Sequence, residues 1–225
     1  MHVIALVYNV KAFRLGVGNA AALVAEHAPD VALIQECGPR HRLRRFADAL
    51  GMEHASEHSL FRRSIHNAVL VRPPWRVLSK RLHRFPRDVR FYPRGALIVR
   101  MGRGGHGLWA VSVHLGLSPG ARRRNAEELS SKIRPLNGPV VVGGDLNEGP
   151  TGRAVSVLSE RFRDAWTHGG EEPGETFRAD APRSRIDYLF VNDLVAVERA
   201  VVLGGPEAAA SSDHLPLLVD LTLSP

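Results

Sequence analysis

The sequence predicts an α/β domain in which two β-sheets pack face to face and helices cover them on the outside. Many short apolar runs have the length of strands buried on both faces, and only a few helical segments lie between them. No composition break, linker or repeat divides the 225 residues. We therefore expect a single domain over residues 1–225, large enough to bury a substantial core.

Composition and capping signals predict the individual elements. An alanine-rich segment predicts a helix over 18–28, and a basic segment predicts another over 40–50. Ser118 can cap free backbone N–H groups and Pro119 suits the first helical position, so a third helix should follow and run to about residue 133. Strands are predicted over 3–8, 31–35, 67–71, 76–82, 96–101, 108–114, 140–144, 186–191, 195–203 and 215–221, with a short helix over 151–158 and a polar loop over 167–183.

The charge balance leaves two interpretations open. The chain has a net charge of +7, a pI of about 10.4 and lysine only at positions 11, 80 and 132. A basic surface attracts phosphate backbones, which favours a polyanionic substrate. Codon bias in a GC-rich genome can also raise the arginine content without any ligand. On charge alone, neither interpretation excludes the other.

Several protein classes are disfavoured by the sequence. No stretch approaches the ~20 apolar residues needed to span a bilayer, and the N-terminal segment lacks a secretory leader pattern. Cys37 is the single cysteine, so an internal disulfide is excluded and a reducing compartment is favoured. We expect a monomeric cytoplasmic protein in which Cys37 is a small buried residue rather than a thiol ligand or redox switch.

Polar residues stand where the apolar runs end. Asn9, Glu36, His114 and Asp145 each follow such a run, and the pair Asp213-His214 precedes the last run. An ionised group inside an apolar strand costs several kcal/mol or more, whereas a strand end holds it on a rigid scaffold within reach of solvent. This pattern indicates an enzyme site at the strand ends.

The residue types indicate metal and acid–base chemistry. Asn9 and Glu36 offer hard oxygen donors of the kind that suits Mg²⁺ or Mn²⁺, although each can also be a simple strand-end cap. Two glycines precede Asp145 and allow close approach of the backbone, an arrangement that an ordinary glycine turn also shows. A histidine works best as a base when a carboxylate orients it, and Asp187 is the candidate partner of His214.

These segments together resemble the endonuclease/exonuclease/phosphatase superfamily, which includes DNase I-like nucleases. Each motif is short, but they occur in the family's order over almost the whole chain. The matching segments are residues 7–10 (VYNV), 30–36 (DVALIQE), 67–70 (NAVL), 111–115 (VSVHL), 143–147 (GGDLN), 185–190 (RIDYLF) and 212–216 (SDHLP).

The resemblance implies a four-layer α/β sandwich, two packed mixed sheets flanked by helices, and a divalent-metal phosphoesterase. It implies that Glu36 and Asn9 bind Mg²⁺ or Mn²⁺ with Asp213 beside the metal. Lys11 departs from the family, because AP endonucleases carry an acid there, and His66 stands where a glycine is common. The implied catalytic residues are His214, Asp187, Asp145, His114 and Asn147; the implied substrate contacts are Asn147, His114, Asn67 and Arg94; Arg122 and Asn125 are expected to support the fold.

Three functional hypotheses follow. The first is a nuclease acting on DNA or RNA. The second is a phosphodiesterase or phosphatase acting on a small molecule or lipid headgroup, and the third is a binding domain with a dead site. The complete set of acid, amide and histidine groups argues against the third. The nuclease is favoured by the arginines at 40, 42, 44, 45, 62, 63 and 122–124, which can equally form a solvated surface.

Overall fold

The computed structural model describes residues 1–57, 64–86 and 93–224, and the predicted arginines Arg62 and Arg63 lie outside them. The strands are β1 (His2–Asn9), β2 (Val31–Gln35), β3 (Glu53–Ser56), β4 (Ala68–Val71), β5 (Arg76–Arg84), β6 (Gly95–Arg103), β7 (His106–His114), β8 (Val140–Asp145), β9 (Arg163–Asp164), β10 (Gly170–Glu171), β11 (Asp187–Val191), β12 (Val195–Val202) and β13 (Leu217–Leu223). The helices are α1 (Val17–Ala25), α2 (Arg40–Leu50), α3 (Pro119–Ile133), α4 (Arg153–Ser159), α5 (Trp166–Gly169) and α6 (Pro206–Ala209), and a 3₁₀ turn covers Lys11–Phe13.

The strands form two mixed sheets. The first sheet has the order β10-β12-β13-β1-β2-β4-β3, and the second has the order β5-β6-β7-β8-β11-β9. Within the first sheet β1 and β2 are parallel, and within the second β7 and β8 are parallel. The predicted two-sheet α/β sandwich is therefore confirmed.

Three apolar layers separate the four layers of secondary structure. Residues such as Val99 and Leu189 fill the space between the sheets. The outer face of the first sheet packs on α1 and α2 through residues such as Phe46, and that of the second packs on α3 and α4 through residues such as Leu129. Because both faces of the central strands are buried, their sequences are continuously apolar instead of alternating.

Two helices follow their predicted signals closely. The α2 helix buries Leu43, Phe46 and Leu50 and is followed by Gly51, whose left-handed φ of 63° caps the helix end. The Ser118 Oγ accepts a hydrogen bond from the Ala121 N–H, so this serine caps α3 as predicted. Among the described residues, none of the helices combines the length and apolar character that a membrane crossing requires.

Some element boundaries differ from the prediction. The α1 helix ends at Ala25 rather than at 28, because the chain turns there through i→i−3 hydrogen bonds and reaches a φ of 43° at Ala28. The last strand begins at Leu217 because Pro216 has no N–H and the Leu215 N–H donates to Thr176. The predicted loop 167–183 contains β10 and all of α5 except Trp166. The elements β3, β9 and α6 are too short to show a periodic pattern.

Candidate active site

Strand register brings the predicted polar residues to one edge of the sandwich. In the second sheet His114 pairs with Asp145, and Asp145 pairs with Asp187, so these three lie side by side on β7, β8 and β11. In the first sheet Asn9 pairs with Gln35, which sets Glu36 next to it. Both edges face the same end of the molecule, because Asn9 Nδ2 at the end of β1 donates to Asp145 Oδ2 at the end of β8.

The two glycines before Asp145 make this approach possible. A Cβ on Gly143 would lie 2.6 Å from the Val7 side chain of the opposite sheet. A Cβ on Gly144 would lie 1.8 Å from the Val113 carbonyl oxygen of the neighbouring strand, and the Gly144 φ of 157° also disfavours a side chain. The predicted close approach of the backbone at these glycines is confirmed.

Asp145 is at the centre of the polar contacts. Its Oδ2 accepts hydrogen bonds from Asn9 Nδ2 at 3.0 Å and lies 3.2 Å from His114 Nε2 and 3.8 Å from His214 Nε2, while Oδ1 accepts the Asn147 N–H at 2.8 Å. Burial works to raise the pKa of Asp145, but the two histidines and the Asn147 N–H outweigh burial and hold this pKa well below its usual range. Asp145 is therefore an anion that both sheets share.

His214 and Asp187 form a buried pair. His214 Nδ1 lies 2.8 Å from Asp187 Oδ2. Burial alone lowers the pKa of His214, but the Asp187 and Asp145 carboxylates outweigh it and raise this pKa to about 9. Among the described residues, the buried Asp187 Oδ1 has no hydrogen-bond partner. The pair therefore has the geometry of a histidine that a carboxylate orients.

A loop that the sequence did not single out positions this pair. The Thr176 Oγ1 accepts hydrogen bonds from the N–H groups of Ile186 and Asp187, both at 3.2 Å. The Phe177 ring lies against the His214 ring with 4.8 Å between the centroids. Both residues fall in the segment predicted only as a polar loop, where no periodicity marks which residue returns to the site.

Arg94 joins the histidine side of the site to Glu36. Arg94 Nη1 lies 3.0 Å from His114 Nδ1 and 3.9 Å from Glu36 Oε1. Because a guanidinium only donates, His114 Nδ1 accepts, and the ring proton is assigned to the Nε2 that faces Asp145. The Glu36 side chain is 39% exposed, so its carboxylate remains open to a ligand from solvent.

The available donors fit a hard divalent cation. Glu36, Asn9 and Asp145 offer carboxylate and amide oxygens, and the orphaned Asp187 Oδ1 adds a further buried oxygen. Asp145, Asp187 and His214 also place ligand atoms within 4.8 Å of one another. In that trio His214 is already bonded to Asp187, so the solvent-open Glu36 with its neighbour Asn9 is the better metal position.

Asn67, Asn147 and Asp213 have mixed surroundings. Asn67 is fully buried and its Nδ2 donates to the Gly95 and Ser112 carbonyls, which ties the first sheet to the second. Asn147 Nδ2 donates to the Leu115 carbonyl at 3.1 Å. Asp213 lies on the rim with its Oδ2 only 2.8 Å from Lys11 Nζ. The predicted substrate and metal roles of these three residues stay predictions.

Left-handed backbone is concentrated around the site. Non-glycine residues rarely have a positive φ, and such residues commonly cluster where structure serves function. Lys11, Ala12, Phe13, Glu36 and Asn147 all have φ values between 45° and 55°. The chain therefore accepts local strain in the segments that carry the candidate metal and substrate residues.

The remaining predicted residues have supporting positions. Arg122 Nε lies 3.4 Å from Glu148 Oε1, next to Asn147, and Asn125 Oδ1 accepts the Gly116 N–H at 3.1 Å. Cys37 is buried, as predicted, and burial raises the pKa of its thiol to about 12. These residues brace the loops that follow the strand ends.

Comparisons with known proteins agree with this geometry. A sequence profile described as "Endonuclease/Exonuclease/phosphatase family" matches residues 6–214. No curated protein matches the chain significantly.

Solved structures share the fold at low sequence identity. An endonuclease/exonuclease/phosphatase from Bacteroides vulgatus is 18% identical, with 100% of both chains covered and a TM-score of 0.87. TDP2 from D. rerio, complexed with a single-strand DNA product, is 19% identical over 98% of this chain and 99% of that chain, with a TM-score of 0.80. A mannosyl-6-phosphatase from Bacteroides thetaiotaomicron is 21% identical over 98% and 100%, with a TM-score of 0.79.

Proposed function

The chain belongs to the endonuclease/exonuclease/phosphatase family, whose members are divalent-metal-dependent hydrolases of phosphate esters, and we propose that it is a nuclease. The protein is accordingly a phosphoesterase. Within that activity, we propose that it cleaves phosphodiester bonds of DNA or RNA with Mg²⁺ or Mn²⁺ as the cofactor.

The position of the arginine-rich helices supports a nucleic acid as the substrate. The α2 helix begins four residues after Glu36 and α3 begins five residues after His114, so both start at the edge of the candidate site. They lie on opposite outer faces, and their first two turns hold the exposed arginines Arg40, Arg44, Arg45, Arg123 and Arg124. A phosphate backbone that extends beyond the cleaved bond would find positive charge on both sides.

The metal would be held by Glu36 and Asn9. When bound, it offsets negative charge on a phosphate oxygen. Arg94, at 3.9 Å from Glu36, adds a guanidinium on the same side and is a candidate contact for substrate phosphate.

His214, together with residues at the strand ends of the second sheet, would carry the proton chemistry. Asp187 fixes the orientation of His214, and the raised pKa of His214 keeps its ring protonated near neutral pH. His214 would therefore hold or donate a proton, while the Asp145 carboxylate would orient the attacking water. The Nε2–H of His114 and the amide of Asn147 would stabilise the charge that develops on the phosphate. His114 Nε2, His214 Nε2 and the Asn147 backbone N–H all lie within 3.8 Å of an Asp145 carboxylate oxygen, so these groups meet at one place.

A phosphatase or phosphodiesterase of small molecules or lipid headgroups is the second candidate. A pocket of about 410 Å³ adjoins the site between the segment after Asn147 and the segment before Asp187, and it is lined by Trp166, Glu172 and Arg183 among others. A pocket lined by an aromatic side chain and charged groups suits the organic part of a small phosphate ester. The similar mannosyl-6-phosphatase structure makes this class of substrate worth testing.

A substrate panel separates the candidates. We would measure turnover of plasmid, single-stranded DNA, RNA, a chromogenic phosphodiester and a phosphomonoester, with Mg²⁺ or Mn²⁺ and with a chelator as the blank. A nuclease turns over the polymers in a metal-dependent manner. Turnover of the small esters alone would reject the nuclease, and no metal-dependent turnover of any of these substrates would favour a dead binding domain.

The salt dependence of DNA binding tests the arginine-rich helices. Replacing Arg44 and Arg45 by alanine should weaken binding to any sequence and reduce the slope of log affinity against log salt by roughly one per lost phosphate contact. Arg134→Ala, at the far end of α3, removes an exposed arginine away from the site and is the matched control. An equal loss in the control would indicate a general charge effect.

A further inference from the structure

Lys11 places an ammonium group on the rim of the candidate metal site. Its Nζ lies 2.8 Å from Asp213 Oδ2, and the two side chains are 38% and 27% exposed. Asp213 precedes His214 of the buried pair, and Lys11 follows Asn9 by two residues. The ion pair therefore joins two segments that both carry site residues.

The backbone holds Lys11 firmly at this position. The Lys11 N–H donates to Asn9 Oδ1 at 3.1 Å, so the lysine is fixed against a candidate metal ligand. The next residue, Ala12, donates its N–H to the Glu36 carbonyl at 2.7 Å and accepts a hydrogen bond from Arg42 at 2.8 Å. The left-handed φ of 45° at Lys11 is thus fixed by contacts with both candidate ligands.

We infer that the Lys11 ammonium takes the place of a second divalent cation at Asp213, so that the site holds one metal, on the Glu36 side. A fixed positive charge at hydrogen-bond distance satisfies the Asp213 carboxylate and repels a dication that approaches the same oxygen. This inference rests on the metal dependence of the proposed function and is independent of whether the substrate is a nucleic acid.

The inference separates two acids that the family resemblance puts in one metal set. Glu36 meets the nearest guanidinium, that of Arg94, only at 3.9 Å, while Asp213 meets an ammonium at 2.8 Å. The Asp213 oxygen that meets the ammonium is less available to a metal than the Glu36 carboxylate, whose nearest guanidinium is farther away. Glu36 is therefore the carboxylate left for the metal.

Metal binding without substrate tests the inference. We would titrate the folded protein with Mn²⁺ and measure the number of bound ions by calorimetry and by the loss of the free Mn²⁺ signal in electron paramagnetic resonance. The wild type should bind about one ion. In Lys11→Gln and Lys11→Asp, the affinity for a second ion should be at least roughly tenfold higher than in the wild type. Lys11→Arg should behave as the wild type, because it keeps the charge.

Two further variants make the assignment specific. Lys132→Gln removes the same charge from an exposed site on α3 and should leave the stoichiometry unchanged. Adding Asp213→Asn to Lys11→Gln should abolish the second ion, because the carboxylate that binds it is gone. Two ions in the wild type, an unchanged titration in both folded Lys11 variants, or a second ion that persists without Asp213 would each overturn the inference. Absence of nuclease activity would leave the titration interpretable.

Discussion

The two sheets are joined differently in the middle of the sandwich and at the edge that carries the candidate active site. In the middle, apolar side chains such as Val99, Leu108 and Leu189 fill the space between the sheets. At the edge, polar contacts cross from one sheet to the other, among them Asn9 to Asp145 and Gln35 to Ser112. Burial stabilises the middle, whereas the edge keeps charged groups that must satisfy one another.

This difference separates stability from activity along the length of the strands. Each charged group at the edge has another polar group as its partner, so removal of one leaves the other buried and less satisfied. An apolar residue in the middle has no such partner, and its removal leaves a cavity. Variants of the two regions should therefore change different measurable quantities.

The largest effect is expected at the edge, in turnover. His214→Ala or Asp145→Ala should lower kcat by roughly 10²-fold or more, as loss of a positioned acid–base group does. Steady-state kinetics on the best substrate of the panel measures this. His106→Ala is the matched control, since it removes an exposed histidine at the opposite end of β7. Near-wild-type rates in folded His214 or Asp145 variants would contradict the assignment of the site.

The middle should respond in stability instead. Leu108 is fully buried between the sheets, six residues before His114 on the same strand. Leu108→Ala should lower the free energy of unfolding by about 2–5 kcal/mol through the lost burial and the cavity, and kcat of the folded enzyme should stay near wild type. Urea denaturation and kinetics below the transition measure both quantities. A large loss of kcat without a loss of stability would break the comparison.

A variant between the two regions should show a smaller loss of stability than Leu108→Ala. The buried Ser112 Oγ donates to the Ile34 carbonyl and accepts from Gln35 Nε2, both at 3.0 Å. Ser112→Ala should lower the free energy of unfolding by about 1–3 kcal/mol, because a buried carbonyl loses its donor. The exposed Ser131→Ala on α3 should stay within about 0.5 kcal/mol of wild type. Equal effects in the two serine variants would mean that the cross-sheet bond contributes nothing.

The sequence predicted the edge well where long strands lead into it. Asn9, Glu36, His114 and Asp145 follow buried runs, and strand register then brings them together. A run of apolar residues indicates both where a strand lies and where it ends. The local sequence pattern was therefore sufficient to predict that these residues stand at strand ends.

The contacts made by loops could not be predicted in the same way. Thr176 and Phe177 lie in a polar segment without periodicity, and their return to Asp187 and His214 depends on tertiary packing. The ion pair of Lys11 with Asp213 joins residues at opposite ends of the sequence, so no local pattern indicates it. Motifs thus predicted the candidate groups, and only the folded chain showed which residues contact them.

The last prediction concerns how tightly the chain packs around Cys37, next to Glu36. Cys37 is 4% exposed and its N–H donates to the His66 carbonyl at 2.8 Å. Burial raises the pKa of its thiol to about 12, so little thiolate is available to a reagent at neutral pH. We expect alkylation of the native protein to be at least about a hundredfold slower than in denaturant, since the reagent must wait for local opening.

Mass spectrometry of iodoacetamide-treated samples measures the rate, and Cys37→Ala identifies any background labelling. Labelling of the folded protein as fast as in denaturant would mean that the edge opens freely beside Cys37. The description of this part of the edge as tightly packed would then be wrong.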